Sequence, residues 1–597
     1  MNAAALILVI AATASPGGGS PIATPLPQAT PLPSPAATAP ATIAPSASST
    51  PAPATPTVAP TQAPTATPVP TPAYPADVAV VWHISAAVSA DASVRAAAIA
   101  LSAPDSLGSI VRALRAHPRA HFSLAMDAGA LDGLTRAASG DSALQMMAAG
   151  RLIGGARADM MRVLAQVPAL DPSMSATPAV RRYRALAATA PLALSGRGSA
   201  LSQADSVELA GFGALIRLAA ADELGTNAPL LQKSALTDAE AAAVVNALAA
   251  ADRKTLDGVR EVAASGQLEL IADPAGEPIL PLLIDGGGKS GANIVLVGAG
   301  ADAAMLVDQA LRTVNALATA APPGVYSPHG AYDDQAAAML EQHRASFALF
   351  SDRVLRTSPI GGSSAAVHAA DAGPYHAYAL HATSGSALPV LFWSEDDSSA
   401  LSVLSPGLPQ GAMGARVTDL ASVAGARGGA GSIVVLRIDA EGLWARRPDR
   451  ARVIDLLAAA LSSSRLTSVA IGPYLRAHPP SLSSYGFAPA ADEGGLTYWM
   501  GTFNQAKMWT ALGDARKVAG GDNALAREAT RTALFESEAS HWYVTPNLIA
   551  PQSEIDRLME DFRVLIGRIY QTSGKSPPPN IAPLSPEPGA ATPKPRS

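Results

Sequence analysis

Residues 265–285 read SGQLELIADPAGEPILPLLID, and the first half of this stretch decides the fold. Within it, QLELIA (267–272) is a short apolar run that follows directly on a long helical pattern ending at Gly266. A run of this length between helical patterns is typical of a buried strand in a parallel sheet. Runs of the same kind occur on both sides of it: DVAVVWHI (77–84), HFSLAM (121–126), NIVLVGAG (293–300), SFALFS (346–351), LPVLFW (388–393) and SIVVLRID (432–439).

Helical patterns separate most of these runs, so strands and helices alternate along the chain. Parallel strands joined by helices use right-handed crossovers, which build a parallel sheet or a barrel. Beyond residue 440 the apolar spacing becomes almost entirely helical, as in NALAREATRTALFESEAS (523–540). The sequence therefore predicts an α/β fold, with a (β/α) barrel over residues 76–440 and a C-terminal helical bundle over residues 441–575.

The two ends of the chain have a different composition from this folded part. Residues 1–14 read MNAAALILVIAATA, an apolar run that ends in small residues and has no Lys or Arg before it. We interpret residues 1–16 as a signal-like segment, too short to span a bilayer as a helix. Residues 17–75 are rich in Pro, Thr and Ala, and residues 576–597 are rich in Pro, so both are predicted to be disordered. We expect a secreted or cell-surface protein with no transmembrane span after processing.

The composition excludes several classes of site. The chain has no cysteine, which excludes disulfides, thiolate metal sites and cysteine nucleophiles. Its formal net charge is −6, and no stripe of Lys and Arg indicates a nucleic-acid partner. Its histidines do not take a close ligand spacing such as HExxH, so the sequence predicts no metal site and no cofactor.

The predicted strands nominate the residues of a site. In parallel sheets and barrels, ligands and catalytic groups meet at the carboxyl ends of the strands. We therefore expect the segments at these ends to lie together on one side of the barrel. The nominated segments are His83–Ser85, Glu269–Asp273, Tyr326–Gly330, Glu395–Asp397 and Asp439–Trp444.

Four phrases, in this order, resemble those of glycoside hydrolase family 57: SGQLELIADPAGEPILPLLID (265–285), WMGTFNQAKMWTALGDAR (499–516), ESEASHWYV (536–544) and DFRVLIGRIYQTSGKSPP (561–578). The first phrase resembles the family's GQ-[IV]-E strand together with the HPILPLL segment after it. The resemblance is to the amylopullulanase-like branch and covers about residues 77–582. It implies a retaining, α-glucan-active enzyme built on an incomplete (β/α)7 barrel with a helical C-terminal region.

The retaining mechanism that the resemblance implies requires a nucleophile and an acid/base, two carboxyl groups about 5–5.5 Å apart. The resemblance places the acid/base at Asp439 in DAEGLWA (439–445), with Trp444 as the accompanying aromatic residue. The nucleophile position lies in GVYSPHG (324–330), where His329 stands in place of the family's glutamate. An imidazole carries no fixed negative charge, so it cannot stabilise an oxocarbenium-like transition state as a carboxylate does.

Other positions that the resemblance assigns to the substrate are also changed. HISAA (83–87) keeps only His83 of the family's HxHQP phrase, and Glu277 stands where the family has the histidine before PILPLL. FWSEDDSSALSVL (392–404) keeps acid character at Glu395–Asp397. The candidate substrate-binding residues are His83, Glu269, Glu395, Asp396 and Trp444.

Three functions follow from these residues. The first is a family 57-like protein of α-glucan metabolism whose hydrolysis is impaired or absent because of His329. The second is a non-catalytic module that binds carbohydrate or a surface partner, with sugars stacked on tryptophan faces. The third is an active hydrolase or transglycosylase with a relocated nucleophile, for which Glu269, Glu395 and Asp396 are the candidates. The tryptophans of the second hypothesis are Trp82, Trp393, Trp444, Trp499 and Trp542.

Overall fold

The computed structural model describes most of the predicted folded part, and all described residues belong to one compact unit. The predicted signal-like segment, nearly all of the predicted linker and tail, most of the predicted strand at 293–300, and Trp444 lie outside the described residues. The described residues are 75–85, 91–166, 168, 170, 172–194, 201–285, 298–317, 322–358, 373–381, 386–402, 410–439, 449–492, 495–544 and 552–578.

The strands of the described residues form one sheet. They are β1 (Asp77–Ile84), β2 (Phe122–Asp127), β3 (Leu268–Asp273), β4 (Val325–Tyr326), β5 (Ala348–Ser351), β6 (Tyr378–His381), β7 (Ala387–Trp393), β8 (Ile433–Asp439) and β9 (Leu482–Ser484). Their order across the sheet is β8-β1-β2-β3-β4-β5-β7-β6-β9. Every neighbouring pair from β8 to β7 is parallel, whereas β6 runs antiparallel to β7 and pairs in parallel with β9.

The parallel strands curl into an incomplete barrel. A hydrogen bond from the amide of Ser394, just after β7, to the carbonyl of Val435 in β8 is 3.1 Å long. It joins the two ends of the parallel array, while β6 and β9 extend the sheet beyond it. This architecture confirms the predicted α/β fold, an incomplete (β/α)7 barrel followed by a helical region.

Six of the seven predicted strands are confirmed, as β1, β2, β3, β5, β7 and β8. The sequence analysis missed β4, β6 and β9, which have only 2, 4 and 3 residues. Runs this short carry no periodicity that can be recognised from sequence, and they become strands because a neighbouring strand accepts and donates their hydrogen bonds. Strand β9 also lies within the C-terminal region where the apolar spacing predicted helices.

Helices surround the sheet and form the C-terminal region. They are α1 (Ala92–Ala116), α2 (Ala128–Ala138), α3 (Ala143–Ala148), α4 (Gly154–Ala165), α5 (Pro172–Ser175), α6 (Pro178–Leu194), α7 (Gln203–Ala220), α8 (Asp238–Ala264), α9 (Leu280–Asp285), α10 (Gly300–Leu317), α11 (Asp334–Gln342), α12 (Arg353–Thr357), α13 (Glu395–Ser402), α14 (Gln410–Gly428), α15 (Arg450–Leu461), α16 (Ile471–Ala477), α17 (Phe503–Ala519), α18 (Glu528–Ser537), α19 (Ser540–Val544) and α20 (Gln552–Thr572). In the C-terminal region, α20 packs on α17 and α18.

Helix α1 is, within the described residues, the one helix long and apolar enough to cross a membrane. However, 78% of its most apolar window is buried, and the helix packs against α2 and α8. Asp91 caps its first turn by accepting a 2.8 Å hydrogen bond from the amide of Ser93. Helix α1 is therefore a core helix of the α/β fold.

Inside the barrel, apolar side chains precede a group of polar side chains that lies at the carboxyl ends of the strands. Side chains from alternate strand positions fill the interior, among them Val81, Ala125, Ile271 and Val435. The parallel register then pairs His83 with Asp439 and, on the next strands, Asp127 with Asp273. The register therefore places these four polar residues together at one end of the barrel.

The turn after β4 passes very close to the neighbouring strands. Gly330 has φ +60, and a Cβ atom added to it would lie 2.5 Å from Ser351 Cβ and 2.7 Å from Trp393 Cζ2. Only glycine fits this position, because any other residue meets both a left-handed backbone and atoms of two strands. The close approach fixes the position of His329, which precedes it.

Replacing Gly330 by alanine tests this close approach, with Gly266 as the matched control. Gly266 has φ +78 but meets nothing within 4 Å, so Gly266→Ala introduces left-handed strain of about 1 kcal/mol without a clash. Gly330→Ala adds overpacking of about 1–3 kcal/mol to the same strain. The midpoint of urea unfolding is expected to fall clearly further for Gly330→Ala, and equal midpoints would contradict the close approach.

Candidate functional site

His83 at the end of β1 is the centre of a group of acidic side chains. Its Nε2 atom lies 3.1 Å from Asp273 Oδ2 and 2.9 Å from Glu277 Oε1. Its Nδ1 atom lies 4.0 Å from Asp439 Oδ1. Three strand ends and one turn thus bring one imidazole and three carboxyl groups together, with His83 and Asp273 buried.

A tight turn after β3 presents Glu277 to this group. Glu277 has φ 51, a left-handed conformation that a non-glycine residue seldom takes, and its amide donates to the carbonyl of Pro274 at 3.0 Å. Two hydrogen bonds hold the turn at Gly276. Its amide donates to Asp127 Oδ2 at 2.6 Å, and its carbonyl accepts a hydrogen bond from the amide of Ser540 at 3.1 Å. Such strain persists only where the surroundings fix the backbone, and it is frequent at functional sites.

His329 is presented by a second left-handed turn, with φ 54. Its Nε2 atom lies 3.5 Å from Glu277 Oε2 and 2.9 Å from Ser540 Oγ. Its Nδ1 atom lies 3.6 Å from Asp492 Oδ1, and its ring centroid is 4.8 Å from that of Trp499. His329 therefore sits between two carboxylates, one from the barrel and one from the C-terminal region.

Arg437 on β8 supplies positive charge to the site. Its guanidinium lies 2.9 Å from Asp492 Oδ2 and 3.5 Å from Asp439 Oδ2. It also lies over the rings of Trp393 and Tyr326, 5.3 and 5.8 Å from their centroids, as in a cation–π contact. Tyr326 stacks between His83 and Trp393, with centroid distances of 4.6 and 5.1 Å. This stack fixes the orientation of the His83 ring.

The charges of His83 and Glu277 stabilise each other. Burial alone raises the pKa of Glu277, but the positive charges of His83, His329 and Arg437 outweigh it and hold the pKa at about 2. Burial alone lowers the pKa of His83, but Glu277 and Asp273 outweigh it and raise the pKa well above its ordinary value. At neutral pH, Glu277 is therefore ionised and His83 is protonated.

Burial and acidic neighbours raise the pKa values of Asp127 and Asp273. Burial, followed by the charges of Asp273 and Glu277, raises the pKa of Asp127 to about 8, although three backbone amides donate to its carboxyl group. Burial also raises the pKa of Asp273 to about 6, although the hydrogen bond and charge of His83 act in the opposite direction. This end of the barrel therefore contains more carboxyl groups than its cations balance.

The structure brings some of the predicted site residues together and separates others. His83, His329 and Asp439 meet as described, whereas Glu269 lies deeper in the barrel, paired in register with Ser123. Glu269 accepts two 2.8 Å hydrogen bonds from the amides of Ile471 and Gly472, so its carboxylate caps helix α16.

The two acids after β7 lie at the start of α13. Glu395 accepts a hydrogen bond from Ser351, a residue that Gly330 also approaches closely. The side chain of Asp396 is 81% exposed and forms a 2.9 Å ion pair with Arg356. Glu395 thus lies near the His329 turn, and Asp396 points to solvent.

The sequence analysis did not assign Asp127, Asp492 or Arg437 to the site. Arg437 precedes Asp439 by two residues on the same strand, and this alternation was a usable signal because both side chains point into the barrel. Asp492 follows β9 in the C-terminal region, and nothing in its local sequence indicates that its amide reaches the carbonyl of His329 at 2.9 Å. Tertiary packing alone brings it there.

The tryptophans expected to stack on sugars are buried wherever the structure describes them. Trp82, Trp393, Trp499 and Trp542 each have 2% or less of their surface exposed. Trp393 and Trp499 contact site residues, Arg437 and His329, and so form part of the support of the site. Their ring faces are occupied by protein side chains.

The sequence of residues 206–455 matches the model of glycosyl hydrolase family 57. This part of the chain is therefore similar to that family. The matched residues run from α7 to the start of α15 and include Glu277, His329 and Asp439. The matched part therefore contains both left-handed turns and the end of β8, while β1 and β2 precede it.

A solved structure shows the same fold. A family 57 branching enzyme from the archaeon Thermococcus kodakaraensis, in complex with glucose, gives a TM-score of 0.50 at 11% identity over 83% of this chain and 90% of that chain. A branching enzyme from Pyrococcus horikoshii gives 0.48 at 12% identity, over 87% and 98%. A 4-α-glucanotransferase from Thermococcus litoralis gives 0.48 at 10% identity, over 83% and 60%. No curated protein matches the sequence.

The raised pKa of Asp127 predicts how stability depends on pH. The folded protein holds this proton up to about pH 8, whereas an unfolded aspartate releases it near pH 4. The folded state thus binds more protons between these values, and the contribution of Asp127 to stability falls as pH rises. Asp127→Asn removes the titration, so the stability of the variant relative to wild type is expected to rise from pH 4 to pH 8.

Urea unfolding midpoints at several pH values measure this difference. The NH₂ group of asparagine cannot accept the hydrogen bond from the amide of Gly276. The variant therefore also loses an amount of stability that does not depend on pH. The slope with pH is therefore the result that matters. A stability difference that stays flat between pH 4 and pH 8 would contradict the burial of a protonated Asp127.

Proposed function

We propose that the protein binds α-glucan at the carboxyl end of its barrel and hydrolyses it poorly or not at all, within the amylopullulanase-like branch of the family. The substrate class rests on the match to glycosyl hydrolase family 57 and on the four phrases that resemble this family. The impairment rests on His329, which occupies the turn where the resemblance places the nucleophile.

The observation that carries the impairment is the environment of His329. Both of its ring nitrogens face groups of the protein, Glu277 and Ser540 on one side and Asp492 on the other. Its side chain is only 12% exposed. An imidazole held in this way is a member of a charge network rather than a group free to attack an anomeric carbon.

The energetic consequence follows from the retaining mechanism. A nucleophilic carboxylate forms the glycosyl ester and stabilises positive charge at the anomeric carbon, and His329 supplies neither function. Loss of a single well-placed electrostatic partner costs on the order of 10²–10³ in rate, and loss of a nucleophile costs more. Asp439 remains at the end of β8 as the acid/base candidate, 3.5 Å from Arg437.

A second candidate function is retaining hydrolysis or transglycosylation with Glu277 as the nucleophile. The resemblance places a histidine at position 277 and a glutamate at position 329, and this chain has the two residue types exchanged. The exchanged side chains face each other at 3.5 Å, and Glu277 is ionised at neutral pH because its pKa is held at about 2. The site therefore contains the carboxylate of Glu277, on the turn that faces His329.

Activity on soluble starch, pullulan and maltooligosaccharides distinguishes these functions. We expect the wild type to bind maltooligosaccharides without measurable turnover. The double variant Glu277→His with His329→Glu restores the residue types of the family and keeps the charge balance, and it is expected to gain hydrolysis. The single variant His329→Glu places two carboxylates in contact and is expected to gain less.

The variant Glu277→Gln is the control for the second candidate. Turnover by the wild type that is lost in Glu277→Gln would replace the first proposal by hydrolysis through Glu277. Efficient wild-type turnover that survives in Glu277→Gln, or absence of glucan binding in every variant, would contradict both candidates.

We further propose that the folded part is exported, with residues 17–75 acting as a spacer. Support comes from the apolar run at residues 1–14, which ends in small residues, and from the Pro, Thr and Ala composition that follows it. Protein recovered from the medium or the cell surface is expected to begin near residue 17. An intact Met1 on protein recovered from the cytosol would contradict export.

A further inference from the structure

Three potential metal ligands converge at the end of the barrel from separate parts of the chain. His83 ends β1, Asp273 ends β3, and Glu277 follows in the left-handed turn. One ligand atom from each lies within 4.8 Å of the other two. The spacing along the sequence, 190 residues between His83 and Asp273, explains why no ligand motif was visible.

The hydrogen bonds of these three residues leave ligand atoms unused. Nε2 of His83 lies close to two carboxylate oxygens, but a ring nitrogen carries at most one hydrogen, which serves Asp273 Oδ2 at 3.1 Å. Glu277 Oε1 lies 2.9 Å from the same nitrogen without hydrogen-bond alignment. Asp273 Oδ1 is buried, on a residue with 0% exposure, and has no hydrogen-bond partner.

The local charge also favours a cation. Asp273 and Glu277 place two carboxyl groups at one imidazole, and the buried carboxyl group of Asp127 accepts a hydrogen bond from the Glu277 turn through the amide of Gly276. Buried carboxylates are costly unless they are paired or coordinate a metal. A divalent ion between Nε2 and the two carboxylates would replace the proton on Nε2 and supply a partner for the buried Oδ1 of Asp273.

We propose that His83 Nε2, Asp273 and Glu277 form a site for a divalent cation, with Zn²⁺ as the best fit. One imidazole and two carboxylates are ligand types that zinc accepts, and three protein ligands leave a coordination position open, as in catalytic zinc sites.

The surroundings of the ligands support the same site. Metal-bound histidines usually donate their second N–H to a carboxylate, and the unpartnered Nδ1 of His83 lies 4.0 Å from Asp439 Oδ1. The stacked ring of Tyr326 holds the imidazole plane, and Asp127 holds the turn that carries Glu277. The ligands are thus fixed before any ion binds.

Zinc binding by the whole chain tests this site, independently of the proposed glucan binding. Protein freed of metal with a chelator and dialysed is titrated with Zn²⁺ by calorimetry without glucan, and bound metal is counted by atomic emission. One zinc ion per chain is expected. Asp273→Asn and Glu277→Gln are each expected to weaken binding by at least about tenfold, whereas Glu277→His keeps a ligand atom and is expected to retain binding.

Asp492→Asn is the matched control. Asp492 is a buried acid that contacts His329 and Arg437, and it is not one of the three proposed ligands. It is expected to bind zinc as the wild type does, and circular dichroism confirms that each variant is folded. Less than stoichiometric binding by the wild type, or equal binding by Glu277→Gln, would overturn the proposal. Equal loss of binding in Asp492→Asn would overturn the assignment of the ligands.

Discussion

The balance of buried charge at the carboxyl end of the barrel is the constraint on which this site depends. Asp273 and Glu277 lie at His83, and Asp127 accepts a hydrogen bond from the turn that carries Glu277. Burial raises the pKa of both Asp127 and Asp273. His83 and Arg437 provide the positive charge, Arg437 through its ion pair with Asp492. Because burial makes each of these charges costly, each ionised group of the site is stabilised by a partner of opposite charge.

The pair formed by Glu277 and His329 illustrates such matching. Relative to the residue types that the family resemblance assigns, the acid and the imidazole have exchanged places, and the two side chains face each other across the site. Both residues hold left-handed backbone conformations, in turns clamped by Gly276 and Gly330. The two turns therefore bring the acid and the imidazole into contact at the end of the barrel.

The C-terminal region takes part in this site rather than only covering the barrel. Asp492 donates its amide to the carbonyl of His329 and its carboxylate faces the His329 ring, while Ser540 contacts both turns. Trp499 supports the same ring from the side. The position of His329 is therefore set by residues more than 160 positions away in the sequence, and the site exists only when barrel and helices have assembled.

The sequence by itself determined the α/β architecture, the positions of the longer strands along the chain and the placement of His83 and Asp439 at strand ends. These follow from apolar runs and from strand-end geometry, which are local or periodic properties of the chain. Only the tertiary structure decided that Glu269 caps a helix deep in the barrel and that Asp127, Arg437 and Asp492 join the site. Short strands, left-handed turns and long-range ion pairs place these residues. Each of these features depends on contacts between distant segments, and no local pattern in the sequence indicates such contacts.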